Sequence, residues 1–152
     1  MVKSIAIVGG SSDIAKSTIS SMSADNYKFH VLVRDDSHTD ELSASGVSVV
    51  LGDATSEEDI KNFISGVKES GEIHAILHCV GSFAVRPPHA MNKEAFETVI
   101  STNLTSAFLT LSIAGKAMLS QGHGRMVFMS SVAGSLGLVN HEAISAAKGG
   151  IE

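Results

Sequence analysis

Gly9, Gly10, Ser11 and Ser12 follow directly on the apolar run of residues 5–8, and Asp13 and Ile14 open a helix-compatible stretch behind them. A strand that breaks through glycines into a helix start is a turn suited to a phosphate. Gly9 can take backbone angles closed to other residues, and Gly10 lets the chain come close to a ligand. Ser11 and Ser12 can cap the helix and offer hydroxyls to an anion. The helix's first amides point at the same place, with the positive end of the dipole behind them. A glycine pair also occurs in βα turns for local reasons alone, so this stretch by itself leaves the nucleotide and the structural reading open.

The elements around that turn alternate. Strand-like runs fall at residues 5–8, 29–33, 47–51, 73–80 and 125–129. Helix-like stretches fall at 14–24, within the polar segment 35–46, at 56–69 and along 92–120, and a last helix begins near Ala143. Ser56 suits a cap, and Glu57, Glu58 and Asp59 suit the first turn behind it. Residues 81–91, which hold both prolines, read as a loop. Strands apolar throughout and alternating with helices predict an α/β fold with a parallel sheet covered on both faces. Ligands of such sheets sit at the carboxyl ends of the strands. There the sequence places the glycine turn, then Arg34 and Asp35, then Asp53 and Ala54, then Gly81 and Ser82, then Ser130 and Ser131. Small hydrogen-bonding residues crowd one edge, as a long, polar, phosphate-bearing ligand would require.

A length of 152 residues predicts a single domain, and a 43% apolar content suffices for a core. The net charge of −5 argues against a nucleic-acid or anionic-membrane partner. The longest apolar run, residues 107–119, is broken by Lys116 and falls short of the ~20 residues that span a bilayer. The apolar stretch after Lys3 is too short for a secretory signal. The expectation is a soluble cytoplasmic protein without a membrane partner. Cys79 reads as a small buried core residue in a reducing compartment. His74 and His78 share a strand face with no carboxylate or cysteine to complete a set, so no metal site is expected. His78 by itself reads as a satisfied, partly buried imidazole.

Taken in order, these segments resemble the short-chain dehydrogenase/reductase family over the whole chain. Val8-Gly9-Gly10-Ser11-Ser12-Asp13-Ile14-Ala15 stands where that family has Thr-Gly-x-x-x-Gly-x-Gly. Asp53 matches the acidic residue that holds the adenine ring, and His78-Cys79-Val80-Gly81 stands where Asn-Asn-Ala-Gly is usual. Asn103 matches the family's catalytic asparagine, Ser131 its serine, and Lys148 the lysine of Tyr-x-x-x-Lys. The resemblance implies a Rossmann-like, doubly wound parallel sheet, incomplete at its C-terminal end. It also implies an NAD(P)-dependent oxidoreductase moving hydride between nicotinamide and a small-molecule carbonyl or alcohol. The cofactor would lie on Gly9, Ser11, Ser12, Asp13, Ile14, Arg34, Asp53, Ala54, Val80 and Gly81. Arg34 suits a 2′-phosphate and so NADP; Asp35 could instead hold free ribose hydroxyls, which would mean NAD. Catalysis would fall to Asn103, Ser131 and Lys148. Asn103, a poor helix former inside a helical run, is expected to mark a functional kink. The resemblance further implies a homo-oligomer, a dimer or tetramer paired through two long helices. Family members normally continue well past the lysine. This chain is therefore expected to be an N-terminal fragment, its fifth strand left without a neighbour.

The departures bear on chemistry. The family's tyrosine, four residues before Lys148 and thirteen after Ser131, falls on Ile144. The one tyrosine, Tyr27, lies in the other half of the chain. Asp13 and Ala15 replace two glycines, and Asp13 sets a carboxylate near the expected pyrophosphate. Isoleucine can do no proton work. Three readings follow. His141, Glu142 or a water ordered on Ser131 and Lys148 replaces the tyrosine; or the chain is a catalytically impaired dinucleotide-binding sensor or interaction protein; or it is an inactive fragment.

Overall fold

The computed structural model describes residues 2–22 and 26–152. At its centre is β1 (Lys3–Val8), whose side chains alternate between two cores. Ala6 and Val8 enter one, Ile5 and Ile7 the other, as the period of two in a strand demands. Both faces are buried, which is why the run is apolar without interruption. β1 pairs in parallel with β2 (Tyr27–Val33) on one side and β4 (Ile73–His78) on the other. β3 (Ser48–Leu51) extends the sheet beyond β2, and β5 (Arg125–Phe128) beyond β4, giving the order β3-β2-β1-β4-β5. All pairs are parallel, so every carboxyl end lies at the same edge. The chain runs from β1 outward through β2 to β3 on one side, then crosses back to β4 on the other side of β1, and this reversal opens a crevice there. This is the doubly wound, Rossmann-like arrangement.

The helices follow from local chemistry. Ser12 caps α1 (Asp13–Ser21) by accepting the Ala15 N–H, and Ala15 is its fully buried residue. With α2 (Thr39–Ala44), which contributes Leu42, it covers one face. Ser56 caps α3 (Glu57–Glu69). Ile60, Phe63, Ile64 and Val67 recur at helical spacing and are all buried on the second face. Each such side chain, fully buried, contributes ~1.5–3 kcal/mol. The long helical run divides into α4 (Lys93–Ile100), a π turn (Ser101–Thr105) and α5 (Ser106–Gln121). α5 packs on the second face through Ala114 and Met118 and ends on Gly122, whose φ of 83° is the left-handed cap. α7 (Glu142–Gly149) packs on α4 and on α6 (Val132–Leu136) through Val99, Ala133, Ala143, Ile144 and Ala147.

Several expectations need correction. The first helix ends at Ser21; the expected end at Ala24 lies outside the described residues. The fourth strand stops at His78, because Cys79 and Val80 already turn into the crevice. Cys79 is accordingly half-buried rather than fully buried: it packs against the edge of one core and also lines the cleft. α6 was not expected; it is a five-residue turn of helix started by Ser131. The continuous helical stretch Lys93–Gln121 has 29 residues and a mean hydropathy of 1.2 in its most apolar window. By length and composition it is long and apolar enough to cross a membrane, a test that core helices also pass, and α5 spends one face on the core of the domain.

Candidate functional site

At the carboxyl edge the glycine turn is set by close packing. Gly9 has φ +88°, and a Cβ there would lie 2.8 Å from the Val80 backbone nitrogen. A Cβ at Gly10 would lie 2.5 Å from Cβ of Val31. The Leu32 carbonyl accepts both glycine N–H groups at 3.0 Å, which ties the turn to β2. Ser12 caps the helix at 3.2 Å. The N–H groups of Asp13 and Ile14 belong to a first turn that has no intrahelical acceptors, so they can face an anion. Their side chains are exposed.

This turn forms one wall of a cleft of about 520 Å³. Gly9, Ser11, Ser12, Arg34, Asp53, Ala54, Val80 and Gly81 line it, together with Asp35 and Cys79. Eight of the ten residues assigned to the cofactor from the sequence therefore share one concavity; Asp13 and Ile14, which follow Ser12 on α1, are not among its lining residues. Thr98, Ser101 and Thr102 also line it. Sequence reasoning missed these three, although polar residues at i, i+3 and i+4 ahead of Asn103 signalled one helix face. Asp53 is held in a turn of its own: its Oδ1 accepts the Thr55 N–H at 2.7 Å and the Thr55 hydroxyl at 2.8 Å. Those bonds, with a smaller effect of Arg34, keep its carboxyl below the usual range. Ser56, not Asp53, caps the next helix.

The cleft ends at Gly81, where two of the three residues matched to catalysis, Asn103 and Lys148, come close. A Cβ on Gly81 would lie 3.3 Å from Asn103 Oδ1 and 3.8 Å from Lys148 Nζ. Asn103 sits inside the π turn and is fully buried. Its Nδ2 donates to Val99 O at 3.0 Å and Ser82 Oγ at 2.9 Å, and its Oδ1 accepts the Ser82 N–H at 3.2 Å. The expected kink is thus a widened helical turn, and its asparagine staples the loop after β4. Lys148 is buried, and its ammonium donates to the Met129 carbonyl at 2.7 Å. Burial lowers its pKa. Ser131 stands two residues beyond Met129; its Oγ accepts the Ala133 N–H at 3.2 Å, which leaves its own hydrogen free to donate. Ile144 is 4% exposed and packed among Val99, Ala133, Ala143 and Ala147. His141 is engaged with the Val139 carbonyl at 2.8 Å and lies edge-on to Phe83. Glu142 is exposed in the first turn of α7. Neither is hydrogen-bonded to Ser131 or Lys148 in the network described.

His78, at the end of β4, is fully rather than partly buried. Ser106 Oγ donates to Thr102 O at 2.6 Å, so His78 Nε2 carries a hydrogen and donates to Ser106 Oγ at 2.9 Å. Nδ1 is left without a partner. Burial, and then the Lys148 charge, lower the pKa of His78 to about 4. The unfolded chain binds this proton from about pH 6.5 downward, whereas the folded chain binds it only near 4. Stability is therefore expected to be full above pH 6.5 and to fall as the pH drops toward 4, by at most ~3 kcal/mol from this residue. Urea midpoints across that range should show the loss, and His78→Asn should remove most of it. An unchanged pH slope in the variant would place the effect elsewhere, His30 being the other histidine with a lowered pKa.

Comparison with known proteins agrees with this geometry. A family model described as short chain dehydrogenase matches residues 3–152. The 3-oxoacyl-(acyl-carrier-protein) reductase MabA of Mycobacterium tuberculosis is 29% identical over 150 residues, 98% of this chain and 59% of that protein. A tropinone reductase homolog of Arabidopsis thaliana is 27% identical over 151 residues, 94% of this chain and 56% of its own. Levodione reductase superposes with a TM-score of 0.91 at 24% identity, over 98% of this chain and 62% of that one. ElxO with NADP bound does so with a TM-score of 0.91 at 21% identity, over 99% and 64%. The chain spans less than two thirds of the length of each of these proteins.

Proposed function

The chain belongs to the short-chain dehydrogenase/reductase family, and from that premise we propose that it is the cofactor-binding part of an NADP(H)-dependent oxidoreductase interconverting a carbonyl and an alcohol. One observation carries the proposal: a single cleft runs from Arg34 past the glycine turn to Gly81, and there it meets Asn103 and Lys148. A nicotinamide dinucleotide, when bound, supplies or accepts the hydride. The lining fits such a group: Gly9 and Gly10 let the turn pack against Val80 and Val31, and Ser11, Ser12, Arg34 and Asp53 present hydrogen-bonding and charged groups along one cleft. Arg34 would receive a 2′-phosphate, Asp53 the adenine, and the α1 amides the pyrophosphate. The name of the ElxO structure, with NADP bound, and that of MabA, a 3-oxoacyl reductase, support this choice of cofactor and substrate class.

Ser131 would donate its hydroxyl hydrogen to the substrate oxygen. Asn103 holds the loop at Ser82 so that Gly81 stays open to the cofactor. Lys148 is the titratable group of the three. Its buried ammonium, made a stronger acid by desolvation, would supply the proton through a water or the Ser131 hydroxyl. The bonds made by His141 and the exposure of Glu142 favour Lys148 over either. Ile144 supports the second reading, a dinucleotide binder with impaired catalysis, since it carries no proton where the family has its acid.

Fluorescence titration with NADPH tests the proposal. Saturable binding is expected in the full protein, and its absence for both NADPH and NADH would remove the proposal. In the same titration Asp13→Gly should tighten NADPH about fivefold, because it removes one exposed like charge beside a diphosphate. Unchanged or weaker binding would show that the Asp13 carboxylate lies away from the pyrophosphate.

A further inference from the structure

Two carboxylates share the Arg34 end of the cleft, and each already has a partner. Asp53 is engaged by Thr55. Asp35 accepts two bonds on one oxygen, from the Ser37 hydroxyl at 2.5 Å and from the Ser37 N–H at 3.1 Å. Arg34 lines the cleft with Asp35 and Asp53, and its charge is felt by both. Among the described residues no ion pair engages its guanidinium. A cation flanked by two carboxylates normally pairs with one of them; here both have been drawn into neighbouring turns.

We propose that Ser37 is a positioning residue for cofactor choice: it holds the Asp35 carboxylate in its turn, leaves Arg34 to a 2′-phosphate, and keeps Asp35 off the ribose hydroxyl that NAD(H) presents. The inference rests on the dinucleotide reading of the cleft. Its chemistry is simple. A carboxylate released beside the ribose accepts a hydrogen bond from a free 2′-hydroxyl and repels a 2′-phosphate. A single position therefore moves the two affinities in opposite directions. The Ser37 bonds also hold the Asp35 carboxyl below the usual carboxylate range, with Arg34 adding a smaller effect, so the carboxylate stays ionised and its placement matters.

The test is the ratio of NADPH to NADH affinity, measured by fluorescence titration. Ser37→Ala removes the shorter bond and should lower the ratio about fivefold in favour of NADH, the scale of one surface charge interaction. Ser37→Thr, which keeps the hydroxyl, should retain the parental ratio. In an Asp35→Ala background, Ser37→Ala should change the ratio no further. An unchanged ratio in Ser37→Ala, or an equal fall with Asp35 absent, overturns the inference; the second result would mean that the hydroxyl contacts the phosphate itself. Either result leaves the dinucleotide reading intact if the parent binds NADPH. A parent that binds neither cofactor ends both.

Discussion

Ile144→Tyr is expected to raise the rate of NADPH-dependent ketone reduction by ~10²–10⁴, the contribution of one positioned acid–base group. Ile144 and Lys148 are four residues apart on α7 and so share a face. A phenol at 144 would then sit beside a buried ammonium, which draws its pKa of ~10 downward toward the working range. The cost is steric. Ile144 is almost fully buried among small and apolar residues, and overfilling such a site costs ~1–3 kcal/mol. Ile144→Phe separates the two effects: it should bring the same loss in urea midpoint and no gain in rate. The measurement is loss of NADPH absorbance over a panel of ketones. If the tyrosine variant folds, binds NADPH and gains nothing over the phenylalanine variant, carbonyl reduction at this cleft is the wrong chemistry.

Gly9→Ala is expected to destabilise the fold by about 3 kcal/mol and to weaken NADPH at least about tenfold. Two effects add at this position. A left-handed φ of +88° costs an alanine roughly 1–2 kcal/mol. The new methyl must also displace the Val80 backbone, 2.8 Å away, and so shift the segment after β4 that lines the cleft. Gly46 is the internal control, since it has φ +76° with nothing within 4 Å of its missing Cβ. Gly46→Ala should cost only the first amount and leave NADPH affinity unchanged. Equal urea midpoints for the two variants would show that the approach of Val80 to Gly9 carries no energy.

What could be read from the chain alone was local or periodic. Apolar runs of strand length, broken by glycine and followed by caps such as Ser12 and Ser56, dictate β and α segments because hydrogen bonding and burial act over a few residues. Their alternation dictates a parallel sheet and puts Gly9, Arg34, Asp53, Gly81 and Ser131 at one edge. Their spacing also carries the family. The tertiary structure decided whatever depends on partners far along the sequence. Cys79 is only half-buried because β4 ends one residue earlier, at the crevice. Asn103 became a buried staple because Ser82, 21 residues away, meets it at a π turn. Thr98, Ser101 and Thr102 joined the cleft because α4 lies across its mouth. Arg34 is free, and Asp35 and Asp53 are not, because a side chain chooses among acceptors by distance, and only the folded chain sets those distances.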